Sequence, residues 1–139
     1  MNVQKKRNMD KKVKNIDKVK EILKKNRSVK YAFLFGSIIK KPSPCSDVDI
    51  LIGGELDFSE RTDLALELEL ILKRKVDIVL VNQAAPELVL KAFSLGIVLC
   101  TREKEERKED YFRNLRLSED GQNLQRLKIS RIKRRYEHA

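Results

Sequence analysis

Phe33-Leu34-Phe35-Gly36-Ser37, nine further residues, then Asp47-Val48-Asp49-Ile50-Leu51 is the stretch on which the fold turns. Val29 to Phe35 is a short apolar and aromatic run closed by Gly36, which predicts a buried strand. Val48 to Ile52 is β-branched and apolar and is followed by Gly53-Gly54, which predicts a second strand. Pro42 and Pro44 make the segment between them a loop. A third run, Lys75-Val76-Asp77-Ile78-Val79-Leu80, predicts a strand over 76–81.

Helical patterns alternate with these strands. Ile16, Val19, Ile22 and Leu23 share one helix face, and the helix is expected to end near Asn26 in the left-handed conformation that Asn tolerates. Ser59 and Thr62-Asp63 are expected to open a second helix, with Leu64, Leu68, Ile71 and Leu72 keeping helical spacing to about Arg74. Pro86 suits a helix first turn, and that helix runs through Leu88, Val89 and Phe93 to Gly96. Ile97 to Cys100 is a fourth, short strand. From Lys104 the chain is charged and helix-prone, with Gly121 expected to divide it into two helices. The order predicts one α/β domain with a small mixed sheet flanked by helices. It divides into a basic tail over 1–15, the domain over 16–102 and a charged helical C-terminal extension over 103–139.

Composition fits one domain. The chain has 139 residues, 41% hydrophobic and 37% charged, with a formal net charge of +10. Residues 1–30 carry about +9, residues 31–112 about −4 and residues 113–139 about +5. Basic ends suit nucleic acid, an acidic partner or plain solvation, and charge alone does not choose among these. No apolar run approaches the roughly 18 residues of a membrane span. The basic N-terminus lacks the apolar stretch of a signal peptide. Two cysteines, Cys45 and Cys100, make no disulfide framework, and a reducing cytoplasm is the expected location. His138 is the only histidine, so no multi-histidine metal site is available. Its spacing from Arg131 loosely matches that of certain ribonucleases, as chance readily produces. Neither a P-loop nor a Gly-x-Gly-x-x-Gly motif occurs, which disfavours those nucleotide-binding designs.

The acids carry the chemistry. Residues i and i+2 of a strand point to one face, so Asp47 and Asp49 hold two carboxylates close together. Like charges at that separation repel unless a cation sits between them. Asp77 lies in an equally apolar strand, where Asp is depleted. Taken alone, Asp47 reads as well as a turn residue and Asp77 as a strand-edge residue. Together they suit Mg²⁺, which takes hard oxygen ligands and typically binds through one or two carboxylates plus substrate phosphates. Two ions roughly 3.5–4 Å apart clamp the attacking and leaving oxygens of a phosphoryl displacement. Asp47 and Asp49 are expected to bridge them. Asp77 is expected either to bind metal near the acceptor and take its proton or to position it. Gly36 lets backbone approach a phosphate, and the Ser37 hydroxyl either donates to one or caps a short helix. Lys40 and Lys41 are placed to neutralise phosphate or to sit in solvent.

Gly-Ser, a spacer of about ten, Asp-x-Asp and a later strand Asp together resemble the signature of DNA polymerase β-type nucleotidyltransferases. The small size is similar to the minimal nucleotidyltransferase (MNT) subgroup, as is Val76 to Leu80 followed by a Pro-initiated helix and Gly96-Ile97-Val98-Leu99. The resemblance spans roughly residues 16–102. It implies a polymerase β-like fold, ATP as substrate and Mg²⁺ as cofactor. It also implies an antitoxin that transfers AMP to a tyrosine hydroxyl of a HEPN-family ribonuclease toxin. By motif position, Gly36 and Ser37 would hold the triphosphate and Asp47, Asp49 and Asp77 the metal. One departure is that Ile38-Ile39-Lys40-Lys41-Pro42 stands where many minimal members carry Arg-Gly. Two other readings are a binding module that neutralises a partner without catalysis and a transferase acting on RNA or a small alcohol.

Overall fold

The computed structural model describes residues 13–40 and 46–137. Four strands form one mixed sheet: β1 (Val29–Phe35), β2 (Val48–Gly54), β3 (Val76–Leu80) and β4 (Ile97–Thr101). Their order across the sheet is β3-β2-β1-β4. β1 is antiparallel to both β2 and β4, and β2 is parallel to β3. Among the described residues the helices are α1 (Ile16–Lys25), α2 (Ser37–Lys40), α3 (Phe58–Leu72), α4 (Pro86–Leu95) and α5 (Lys104–Glu137). A 3₁₀ turn, Val81–Gln83, follows β3.

Both sheet faces are covered, and period-2 alternation sorts the side chains between them. Ala32, Leu34, Val48, Ile50, Ile52, Val76, Leu80, Ile97 and Leu99 meet Ile16, Val19 and Leu23 of α1 and Leu64, Leu68 and Leu72 of α3. Tyr31, Phe33 and Leu51 face the other way, against Val89, Ala92 and Phe93 of α4. Val13 is buried with the first cluster, so packing begins before α1 does. Among the described residues, no helix is long and apolar enough to cross a membrane.

Several local expectations are corrected. Asn26 ends α1 in an extended conformation (φ −82°), not a left-handed one. Its side-chain oxygen accepts the Ser28 N–H at 3.0 Å, so an Asx turn replaces the expected cap. α3 begins at Phe58 rather than Ser59, because Asp57 caps it by accepting the Glu60 N–H at 2.7 Å. α5 runs unbroken from Lys104 to Glu137, through Gly121. One helical glycine costs only about 1 kcal/mol relative to alanine, too little to divide a helix by itself. Cys45, His138 and most of the predicted N-terminal tail lie outside the described residues.

α5 is fastened to the sheet by a buried polar cluster. The Tyr31 hydroxyl donates to Asp110 Oδ2 at 2.7 Å, and Arg113 reaches Oδ1 of the same carboxylate at 2.9 Å. Asn114 donates to the Asp110 carbonyl at 2.8 Å. Burial, then the bond to Asp110, hold the Tyr31 hydroxyl well above the ordinary tyrosine range. Tyr31 pairs across the sheet with Gly53, where an added Cβ would lie 2.0 Å from the Tyr31 ring. The glycine is the space that ring occupies. Tyr31→Phe is expected to lower unfolding stability by about 1.5–3 kcal/mol, the usual worth of a hydrogen bond to a charged group. Urea denaturation checks it, and an unchanged midpoint would show that Asp110 finds another donor.

Candidate active site

Strand register assembles the acids. Phe35 at the end of β1 pairs with Asp49 near the start of β2, and Asp49 pairs with Asp77 on β3. Alternation then places Asp47, Asp49 and Asp77 on the sheet face shared by Phe33, Leu51 and Val79. Two contacts fix this end of the parallel pair. The Val48 N–H donates to the Lys75 carbonyl at 2.9 Å. The Glu69 carboxylate of α3 accepts the Val76 N–H, one residue before Asp77, at 3.0 Å. Asp49 is half-buried, while Asp47 and Asp77 are exposed.

The acids act on one another. Burial raises the Asp49 pKa above the ordinary carboxylate value, and the charges of Asp77 and then Asp47 raise it further. Asp77 and Asp47 thus lie near enough to Asp49 for their charges to act on it. Gly36 closes the group from the β1 side. It sits at φ +90°, and a Cβ there would lie 2.2 Å from Asp49 Oδ2. No residue with a side chain fits that position without displacing the carboxylate.

Among the described residues, no three His, Cys, Asp or Glu side chains form a ready-made ligand set. Hard carboxylates on one face, mutually repelling and open to solvent, nevertheless fit Mg²⁺, whose remaining ligands are usually water and substrate phosphate rather than a protein cage. Among the described residues no thiolate or imidazole stands with these acids, since Cys100 is buried on the opposite face.

Ser37 is exposed at the start of α2, directly after Gly36. The Lys40 side chain and all of Lys41 lie outside the described residues. A cavity beside Gly36 and Ser37 is walled by Phe35, Ile39, Leu88, Lys91 and Leu95. Lys91 was not singled out from the sequence. Its signal was there: Leu88, Lys91 and Leu95 stand at i, i+3 and i+7, so one cation interrupts an apolar stripe.

The sequence model of the polymerase β nucleotidyltransferase family matches residues 17–105. The chain belongs to that family. Three solved structures share the fold of this nucleotidyltransferase domain. One is the toxin–antitoxin MntA–HepT, at 22% identity and TM-score 0.65, covering 85% of this chain and 96% of that one. Another is a toxin–antitoxin with AMP-PNP, at 22% identity and TM-score 0.70, covering 86% and 98%. The third is tri-AMPylated Shewanella oneidensis HEPN toxin in complex with MNT antitoxin, at 21% identity and TM-score 0.64, covering 89% and 98%. At these identities the likeness is one of fold. No curated protein matches this nucleotidyltransferase sequence significantly.

Proposed function

We propose that this chain is a metal-dependent adenylyltransferase that moves AMP from ATP to a protein hydroxyl, the acceptor being a tyrosine of a HEPN-family toxin that it thereby neutralises. The observation that carries the reading is the half-buried Asp49, flanked by Asp47 and Asp77 and pressed against a glycine of positive φ. Membership of the nucleotidyltransferase family supports the reaction class. Solved structures of the same fold hold AMP-PNP or accompany an AMPylated HEPN toxin, which supports the donor and the partner.

Asp47 and Asp49 would hold Mg²⁺, which would supply neutralisation of phosphate charge. Gly36 leaves room for the Asp49 carboxylate beside the turn, and the Ser37 hydroxyl is placed to donate to a phosphate oxygen. The acceptor hydroxyl attacks the α-phosphorus in line, the bond to the β-phosphate breaks, and pyrophosphate leaves with the electron pair. Asp77, exposed beside Asp49, is placed to take the acceptor proton or to orient the hydroxyl.

The test is incubation with labelled ATP, Mg²⁺ and the toxin that co-purifies with the chain. Label is expected on a toxin tyrosine, and none with EDTA. Stable toxin binding without label would replace the enzyme reading with that of a binding module. Label on RNA would move the acceptor to nucleic acid, a use suited to exposed Arg131, Lys133, Arg134 and Arg135 near the end of α5.

A further inference from the structure

We infer that Lys91 of α4 is the residue that holds the outer phosphates of the triphosphate, an assignment that rests on the nucleotidyl-transfer reading above. Gly36 is approached from two sides. On one stands the Asp49 carboxylate. On the other is the cavity walled by Phe35, Ile39, Leu88, Lys91 and Leu95, which the three aspartates do not line. Among the described residues Lys91 is the one cation of that wall, and it forms no ion pair.

Charge supplies the reason. A triphosphate brings several negative charges to a site already holding three carboxylates. Metal held by Asp47 and Asp49 would offset charge on their side of Gly36. The outer phosphates, running over Gly36 and Ser37 toward the cavity, need a cation from the other side. Ser37, Ile38 and Ile39 carry no charge, and the side chain of Lys40, which ends that helix, lies outside the described residues, so among the described side chains beside Gly36 the cation is Lys91.

An ammonium is a compact point charge with three donors, suited to phosphate oxygen. Leu88 and Leu95 share the cavity wall with Lys91, and aliphatic walls of this kind reduce the local screening of a charge beside them. Pyrophosphate leaving the α-phosphorus gains negative charge where this ammonium stands, so Lys91 would also assist bond breaking.

The experiment is calorimetric binding of AMP-PNP and of AMP, each with Mg²⁺, to the full chain and to Lys91→Met and Lys91→Arg. Lys91 is exposed, so both variants should melt with the parent. Lys91→Met is expected to weaken AMP-PNP by about tenfold, the effect of one charge-assisted contact, and AMP by less than about twofold. Lys91→Arg should recover most of the loss. Unchanged AMP-PNP affinity in Lys91→Met, or an equal loss for AMP, would overturn the assignment while leaving the proposed function standing. A parent chain that binds no AMP-PNP would instead remove the reading on which the assignment rests.

Discussion

Asp49→Asn is expected to give a protein at least as stable as the parent that transfers nucleotide slower by on the order of 10²–10³-fold or more, as when a preorganised charge-stabilising group is lost. The two effects share one cause. In the folded chain, burial and the charges of Asp77 and Asp47 raise the Asp49 pKa. The folded state therefore binds the Asp49 proton more tightly than the unfolded chain does. Its stability contribution is full below the ordinary carboxylate pKa and is lost as pH rises through the raised folded value. At neutral pH the ionised group works against folding, and asparagine removes that penalty together with a metal ligand. Thermal melts at pH 5 and pH 7.5, with and without Mg²⁺, check it. The parent should melt higher at pH 5 than the variant's own pH trend accounts for, and Mg²⁺ should raise the parent more than the variant. A variant that melts well below the parent at pH 7.5 would mean that Asp49 serves the fold instead.

Gly36→Ala should damage both stability and transfer. Alanine at φ +90° is strained, and its Cβ would stand 2.2 Å from Asp49 Oδ2. Strain of this kind costs about 1–3 kcal/mol. The carboxylate must also move by an ångström or so, and misplacement on that scale costs about 10²-fold in rate. Denaturant midpoints and single-turnover transfer rates measure the two losses. The clash has a named partner, so Asp49→Gly should recover part of the stability in the double variant and none of the activity. Transfer within threefold of the parent would show that the phosphate path avoids Gly36.

Much of this site was legible in the sequence because it is built from local rules. Asp47 and Asp49 share a face by the alternation of one strand, and Gly36 is marked by ending an apolar run. Asp77 stood out as an acid in the middle of Val-Asp-Ile-Val-Leu. Its place beside Asp49 depended on the register between β2 and β3, a tertiary pairing that the Val48 N–H on the Lys75 carbonyl helps to hold. Lys91 is hidden in the sequence for a similar reason. A lysine within a leucine stripe gains meaning only when Ile39 and Gly36 are known to lie opposite. Helix ends are blurred in the sequence where two capping residues lie close together, as Asp57 and Ser59 do. Gly121 misled because helix propensity is weak beside the rest of a long helix.

The last strand to be made completes the sheet beside the first. β4 hydrogen-bonds to β1, although residues 36–96 separate them. At roughly 5–20 residues per second, a ribosome leaves the outer edge of β1 open for several seconds after β1 itself has been synthesised. Through that interval the nascent chain presents Tyr31, Phe33 and an unpaired row of backbone groups, a template for pairing with a neighbouring polypeptide. Yield in the cell should therefore depend on chaperone supply and translation speed, and a truncation just before Ile97 should aggregate rather than accumulate.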